Sequence, residues 1–228
     1  GEGRPLSAVE ACGRRGPGVQ EQLARLVNVL ASDAGVRGYL LQPGARTVDV
    51  LVGLLKQQGQ ELEASQGGAP AAGARDTETA QACLGALQKF SLRRSAQSRM
   101  ISLDLIAWIA ETLRHVDALS EYTTEYGTAL LMNLSLRSAG KAKCEALDIL
   151  SVLNDLIESE NLQVRTYVNG TLYSVLQRPA VREAARAMGM EDFLVLIAQS
   201  SDETFARQIE YILAQLRADD DGGGGGGP

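Results

Sequence analysis

Three arginines, Arg93, Arg137 and Arg178, recur at intervals of 44 and 41 residues. A guanidinium offers a planar fork of donors, and a row of them can hold acidic side chains or the carbonyls of an extended peptide. Four residues before each stand Lys89, Asn133 and Ser174, and further toward the start of the same segments come Ala82, Tyr126 and Tyr167. The Asn133 amide can both donate to and accept from a peptide backbone. Tyr126 and Tyr167 offer rings that stack on a ligand chain or pack between repeats. Each residue also has a plain structural reading: cations at helix C-termini offset the dipole, and an asparagine on a helix surface bonds locally. Both readings stay open on sequence alone, and both concern recognition rather than catalysis.

Catalytic chemistry is poorly represented. His115 is the single histidine, and its surroundings, Leu113-Arg114-His115-Val116-Asp117, resemble a helix end. A metal site or a nucleophilic triad would need partners that are missing. Glu121 and Glu125 share a helical face, where carboxylates are usually solvated. Neither a phosphate-binding loop nor a dinucleotide glycine pattern occurs. Cys12, Cys83 and Cys144 are odd in number and far apart, so neither a disulfide framework nor a zinc site is indicated. The expectation is a chain without enzyme activity, cofactor or metal.

The segments that carry these residues have a period. Leu87, Phe90 and Leu92 precede Leu131, Leu134 and Leu136 by 44 positions, and Leu172 and Val175 follow Leu131 and Leu134 by 41. Spacing near forty signals stacked repeats. Three units are legible from Thr77, each a long helix, a short helix and another helix: Glu78 to Arg93, Ala96 to Ser102 and Leu103 to Arg114; Tyr122 to Arg137, Lys141 to Ala146 and Asp148 to Ser159; Leu162 to Leu176, Val181 to Met188 and Glu191 to Ser200. Glu203 to Arg217 opens a fourth unit and caps the stack. Gly85, Ala129 and Gly170 share a register that suits close helix approach, whereas Leu87, Leu131 and Leu172 share a core register. Pro179 suits a helix start, and Gly140 and Gly189 are placed to break the chain at turns.

Earlier residues follow the same logic less clearly. Residues 1–18 read as a mostly irregular lead-in with one or two helical turns between Leu6 and Cys12. Helices are expected from Val19, from Ser32-Asp33 to Leu41, and from Thr47 to Lys56. Residues 57–76 read as a surface insertion, and 219–228, three aspartates, six glycines and a proline, as a disordered tail. Gly1 and that tail suggest a fragment of something longer. The fold class is therefore all-α, a solenoid of three-helix repeats with the domain at 19–218.

Composition agrees. Apolar residues form 45% of the chain and aromatics 4%, and the formal net charge is −6, a balance against a nucleic-acid partner, which needs a concentrated basic surface. No apolar run approaches the roughly 20 residues that span a bilayer, so membrane insertion is not expected, and a reducing, cytoplasmic compartment fits the thiols. The sequon Asn169-Gly170-Thr171 falls inside a helical pattern and reads as chance.

Three helices per unit, together with Ala129-Leu130-Leu131-Met132-Asn133-Leu134-Ser135, resemble armadillo repeats. Glu121-Tyr122-Thr123-Thr124-Glu125-Tyr126, Tyr167-Val168-Asn169-Gly170-Thr171-Leu172-Tyr173-Ser174, Arg182 to Asp192, Arg207-Gln208-Ile209-Glu210-Tyr211-Ile212 and Leu87 to Arg94 are similar to the armadillo domain of the LisH-domain-containing armadillo family of cilia and basal bodies. The resemblance covers 77–217, with 19–56 as preceding repeats. It implies a non-enzymatic scaffold of the basal body and ciliary tip, in the cytoplasm and cytoskeleton, acting in ciliogenesis, ciliary stability and signalling, and in ciliopathy. The implied partners are ciliary and centrosomal proteins, including TOG-domain microtubule-associated proteins. Direct tubulin binding is a second possibility, weakened by the net charge of −6. A peptide adaptor similar to nuclear import receptors is a third, since Asn133 alone carries the asparagine such arrays repeat and Trp108 lies on another helix. The matching residues omit the family's LisH dimerisation segment, which leaves oligomerisation open.

Overall fold

A computed structural model describes residues 7–42, 44–65 and 76–218. Among these every regular element is helical. The expectations for residues 1–6, 66–75 and 219–228 fall outside the described residues.

In chain order the helices are α1 (Ala8–Gly13), α2 (Pro17–Leu30), α3 (Ala34–Leu40), α4 (Thr47–Ser65), α5 (Glu78–Phe90), α6 (Arg94–Ser102), α7 (Leu105–Leu113), α8 (Glu121–Ser135), α9 (Ser138–Ala146), α10 (Ile149–Leu156), α11 (Leu162–Val175), α12 (Pro179–Ala187), α13 (Met190–Ser200) and α14 (Glu203–Arg217). A 3-10 turn, Val116–Ala118, links α7 to α8. The triplets α2–α4, α5–α7, α8–α10 and α11–α13 are four repeats. Their first helices pack in series, α2 on α5, α5 on α8, α8 on α11 and α11 on α14, a ladder of like elements in contact with their neighbours.

Two early segments differ from the sequence reading. Residues 7–18 are mostly helical, because Ser7 and Glu10 form a reciprocal capping box that starts α1 and Pro17 opens α2 at a position that needs no donor. Gly13 ends α1 against α4, where a β-carbon would meet Val50 Cγ1 at 2.6 Å. The helix expected to stop at Lys56 continues to Ser65, so the first half of the supposed insertion is α4 itself.

Caps explain most boundaries. Thr77, Ser120, Asn161 and Asp202 accept backbone amides at the starts of α5, α8, α11 and α14, each such cap stabilising its helix by about 1 kcal/mol. The residue before the third helix of each repeat is left-handed: Arg46 (φ 52), Asp104 (φ 57), Asp148 (φ 48) and Gly189 (φ 72) are all the positive-φ residues described. Gly189 thus makes the turn expected of it. Gly140 does not. It lies within α9, buried, where a β-carbon would come 2.8 Å from the Leu134 carbonyl carbon. It is small so that α9 can lie on the end of α8.

The core follows the repeat register. Leu87, Leu131 and Leu172 are fully buried, as are Phe90, Leu134 and Val175. Leu92 and Leu136 do not share that fate, being 61% and 59% exposed at the corners beyond α5 and α8. Leu131→Ala is therefore expected to cost about 2–5 kcal/mol and Leu136→Ala less than about 0.5 kcal/mol in urea unfolding, and equal losses would refute the register. Gly140→Ala is expected to cost about 1–3 kcal/mol by overpacking, read as a lowered unfolding midpoint.

Candidate protein interaction surface

The ladder helices carry the residues singled out from sequence. Tyr122, Tyr126, Ala129 and Asn133 are spaced so that they share one face of α8, with Arg137 continuing the line beyond its end. At the start of this face the Tyr122 and Tyr126 rings stack, centroids 4.2 Å apart and 15° between planes. Tyr122 also bonds Asn28 of α2, and Gly85 of α5 leaves room for it: a β-carbon there would meet the Tyr122 hydroxyl and, at 2.9 Å, Asn28 Oδ1. Burial, then the Glu125 and Tyr126 charges, raises the Tyr167 hydroxyl above the ordinary range. Tyr122, Tyr126 and Tyr167 are all half-buried.

The next register is spent on the stack itself. Lys89 Nζ donates to the Asn28 carbonyl and Oδ1, both at 2.8 Å. Asn133 Nδ2 donates to Ser91 Oγ at 2.7 Å, and Ser174 Oγ donates to the Ser135 carbonyl at 2.7 Å. All three reach back to the end of the preceding ladder helix. Desolvation, and then the Arg37 charge, lowers the Lys89 ammonium below the usual lysine range.

The arginines are not at the ladder helices' C-termini. Those helices end at Phe90, Ser135 and Val175, and Arg93, Arg137 and Arg178 are the extended residues that precede α6, α9 and α12. Offsetting a C-terminal dipole is thus not their role. Their shared register does not give a shared state. Arg93 is exposed, Arg137 is half-buried beside a depression of about 420 Å³ that includes Ile101 and Lys143, and Arg178 pairs with Glu145, whose hydrogen bond raises the guanidinium's already high pKa.

The C-terminal ends of α2, α5 and α11 are served by other residues, unremarked in the sequence. Arg37 Nη1, Gln97 Nε2 and Arg182 Nη1 fold back onto the carbonyls of Ala31, Ser91 and Leu176 at 2.7, 2.8 and 2.9 Å. Gln97 and Arg182 are buried at this task. The signal available was a long polar side chain six residues after Ala31, Ser91 and Leu176, a pattern broken after α8, where Ala142 stands.

A groove between α8, α11 and α14 also escaped the sequence reading. It encloses about 440 Å³, and Met132, Gly170, Tyr173, Tyr211 and Ile212 line it with Asn169. Gly170 was read as a close-approach position, and a β-carbon there would meet Met132 Sδ at 2.7 Å. Asn169, noted only as part of a sequon, is 4% exposed. The missed clue was that Tyr211 falls 41 residues after Gly170, a bulky ring at a register otherwise small.

At the entrance to α8, Asp76 accepts from Ser120 N at 2.6 Å, Ser120 Oγ and Gln81 Nε2 at 2.9 Å, and Thr123 Oγ1. Burial works to raise its pKa, but the combined donors from Thr123, Gln81 and Ser120 outweigh it and hold the carboxyl below its ordinary 3.8. This clamp positions the first turn of α8 and with it Tyr122 and Tyr126.

Comparison with known proteins follows the same lines. The family described as LisH domain-containing protein ARMC9, ARM repeats, matches residues 100–217. Over 204 residues, 89% of the chain, the sequence is 46% identical to LisH domain-containing protein ARMC9 of Rattus norvegicus and 44% identical to that of Homo sapiens, covering 26% and 23% of those proteins. The chain thus spans about a quarter of the length of these curated relatives. Among solved structures, a designed armadillo repeat protein in complex with the peptide (KR)4 superposes with a TM-score of 0.69 at 13% identity, covering 92% of this chain and 80% of that one. A second designed armadillo repeat protein gives 0.61 at 15% identity, covering 92% and 98%. At such identities the likeness speaks for the armadillo fold.

The Asp76 clamp has a pH signature. Its contribution to stability is complete above the unfolded carboxyl value near 3.8 and is lost as pH falls through the lower folded value. Asp76→Asn, which turns an amide toward the donors, is expected to cost about 1–3 kcal/mol at neutral pH. In a pH series of urea unfolding the gap between variant and parent should close below pH 3.8, and a gap that persisted unchanged in acid would refute the clamp.

Proposed function

The chain belongs to the armadillo-repeat family of LisH domain-containing protein ARMC9, and from that premise we propose that it is a non-enzymatic protein interaction scaffold of the basal body and ciliary tip. In this reading it supports ciliogenesis, ciliary stability and ciliary signalling by holding microtubule-associated partners, TOG-domain proteins among them. The observation that carries the interaction role is the placement of tyrosines. Of the six in the chain, Tyr122, Tyr126, Tyr167, Tyr173 and Tyr211 lie on the successive ladder helices α8, α11 and α14, and each is half-buried or exposed. Tyrosine suits such a surface because it presents a large rigid apolar area and a polar tip at low entropic cost. The complex of the structurally similar designed armadillo protein with the peptide (KR)4 supports the view that this kind of stack can hold a peptide.

Direct tubulin binding is the second reading. Its support is the set of cations at the repeat corners, of which Arg93 and Arg94 are exposed. The net charge of −6 weighs against it, since the partner surface is acidic.

Titration of a TOG-domain ciliary protein into the purified chain is expected to give saturable heat, weakened at least about tenfold by Tyr126→Ala with Tyr167→Ala. Arg93→Glu with Arg137→Glu tests the arginine row, with Arg178 left out because Glu145 already pairs with it. Co-sedimentation with microtubules in the absence of the TOG-domain protein would replace this proposal with the tubulin reading.

A further inference from the structure

Each ladder helix has a side that meets the ladder helix before it, and on α2 that side is bare. Lys89, Asn133 and Ser174 mark the side, since each donates to the preceding ladder helix. Three and ten residues earlier on the same helical face stand Ala86 and Thr79 of α5, Leu130 and Thr123 of α8, and Thr171 and Val164 of α11, all of them buried. Aligning α2 through Ala31 and Ser91, the carbonyls that Arg37 and Gln97 cap, puts Val29, Leu26 and Val19 in these places. They are 70%, 57% and 46% exposed. Their three- and four-residue spacing, with Gln22 between, is the pattern of a helix face made for burial. Asn28, which meets α5, lies about 200° around the helix from Leu26, so the stripe faces away from the rest of the ladder.

α1 points to the same place. In each repeat the third helix packs on the ladder helix that follows it, α4 on α5, α7 on α8, α10 on α11 and α13 on α14. α1 packs on α2 in that way, and on α4 as α7 packs on α10. It therefore holds the position of a third helix, although no ladder helix precedes it among the described residues. The far side of α14 is unlike α2, with Glu203, Arg207, Glu210 and Arg217 exposed, the polar outer face that suits the end of a stack. We propose that the stripe of Val19, Leu26 and Val29 seats one further ladder helix, amphipathic and in register with α2, supplied by sequence of the same polypeptide ahead of residue 1, with α1 as the third helix of that repeat. The inference concerns architecture and does not depend on the scaffold reading. The matched segments take up 26% and 23% of the rat and human relatives, which leaves ample sequence for such a helix. Val29 has no donor to offer, so apolar contact replaces at this step the hydrogen bond that Lys89, Asn133 and Ser174 make. A second copy of the chain fits less well, because its α2 would not complete the repeat to which α1 belongs.

Two measurements on the full-length protein test the proposal. A photo-crosslinking side chain in place of Leu26 is expected to join, within one polypeptide, to a helical segment ahead of residue 1. Hydrogen exchange of the α2 amides is expected to be at least about tenfold slower in the full-length protein than in the chain of residues 1–228 alone. Leu26→Lys with Val29→Lys should abolish that difference while leaving exchange in α8 unchanged, which separates loss of the contact from loss of the fold. A crosslink to a second copy or to another protein, the absence of any crosslink, or equal exchange of α2 in the long and short chains would overturn the inference and leave the scaffold reading to its own titration.

Discussion

The stack depends on how each ladder helix grips the end of the one before it. Lys89, Asn133 and Ser174 are three unlike side chains at one register, yet each donates to the terminal turn of the preceding ladder helix. A helix end leaves carbonyls without intrahelical partners, and the armadillo arrangement supplies donors from two directions. The following repeat serves the ends of α2, α5 and α8, and a long polar side chain of the next short helix, Arg37, Gln97 or Arg182, serves those of α2, α5 and α11. Hydrophobic burial alone would allow the helices to slide along one another. These bonds fix the register between repeats, and the leucines at Leu87, Leu131 and Leu172 then fall into line.

Close approach follows from the same constraint. For Lys89 to reach Asn28, α5 must lie near α2, and Gly85 makes space for the Tyr122 hydroxyl and Asn28 together. Gly170 makes space for Met132, and Gly140 lets α9 rest on the end of α8. The left-handed residues Arg46, Asp104, Asp148 and Gly189 redirect the chain before each third helix. Aspartate tolerates that conformation better than most side chains, which accounts for Asp104 and Asp148.

These devices divide what was legible in the sequence from what was not. The core register was readable because leucine at a fixed period has one common use, burial. Pro179 and Gly189 were readable because their backbone restrictions leave few places for them. The polar residues were not, since lysine, asparagine and serine at one register share no chemical label, and only the proximity of a helix end gives them a common task. Arg93, Arg137 and Arg178 illustrate the reverse error. Shared spacing placed them in line, but the ladder helices stop two or three residues earlier, and each arginine starts a short helix in its own electrostatic setting. Gly140 was assigned to a turn because a glycine's use for close packing depends on a neighbour that sequence does not display.

The division also bears on where a partner can bind. A polar side chain already engaged between repeats offers little to a ligand, because binding would have to break the bond that holds the stack. On that ground Lys89 and Asn133 serve the scaffold first. In the proposed reading, recognition falls to the surface the stack does not consume: Tyr126 with Tyr167 beside it, and the groove flanked by Tyr173 and Tyr211, whereas the Tyr122 hydroxyl is held to Asn28 of α2. Tyrosine can serve both purposes at once, its ring packed along the helices and its edge open to solvent, whereas a hydrogen-bonded amide cannot. Among the buried amides of the described residues, Asn169 is left incomplete, and it lies beside the apolar groove. In the function proposed above, the same helices make a rigid spine and a recognition face by assigning their polar groups to the first and their exposed aromatic surface to the second.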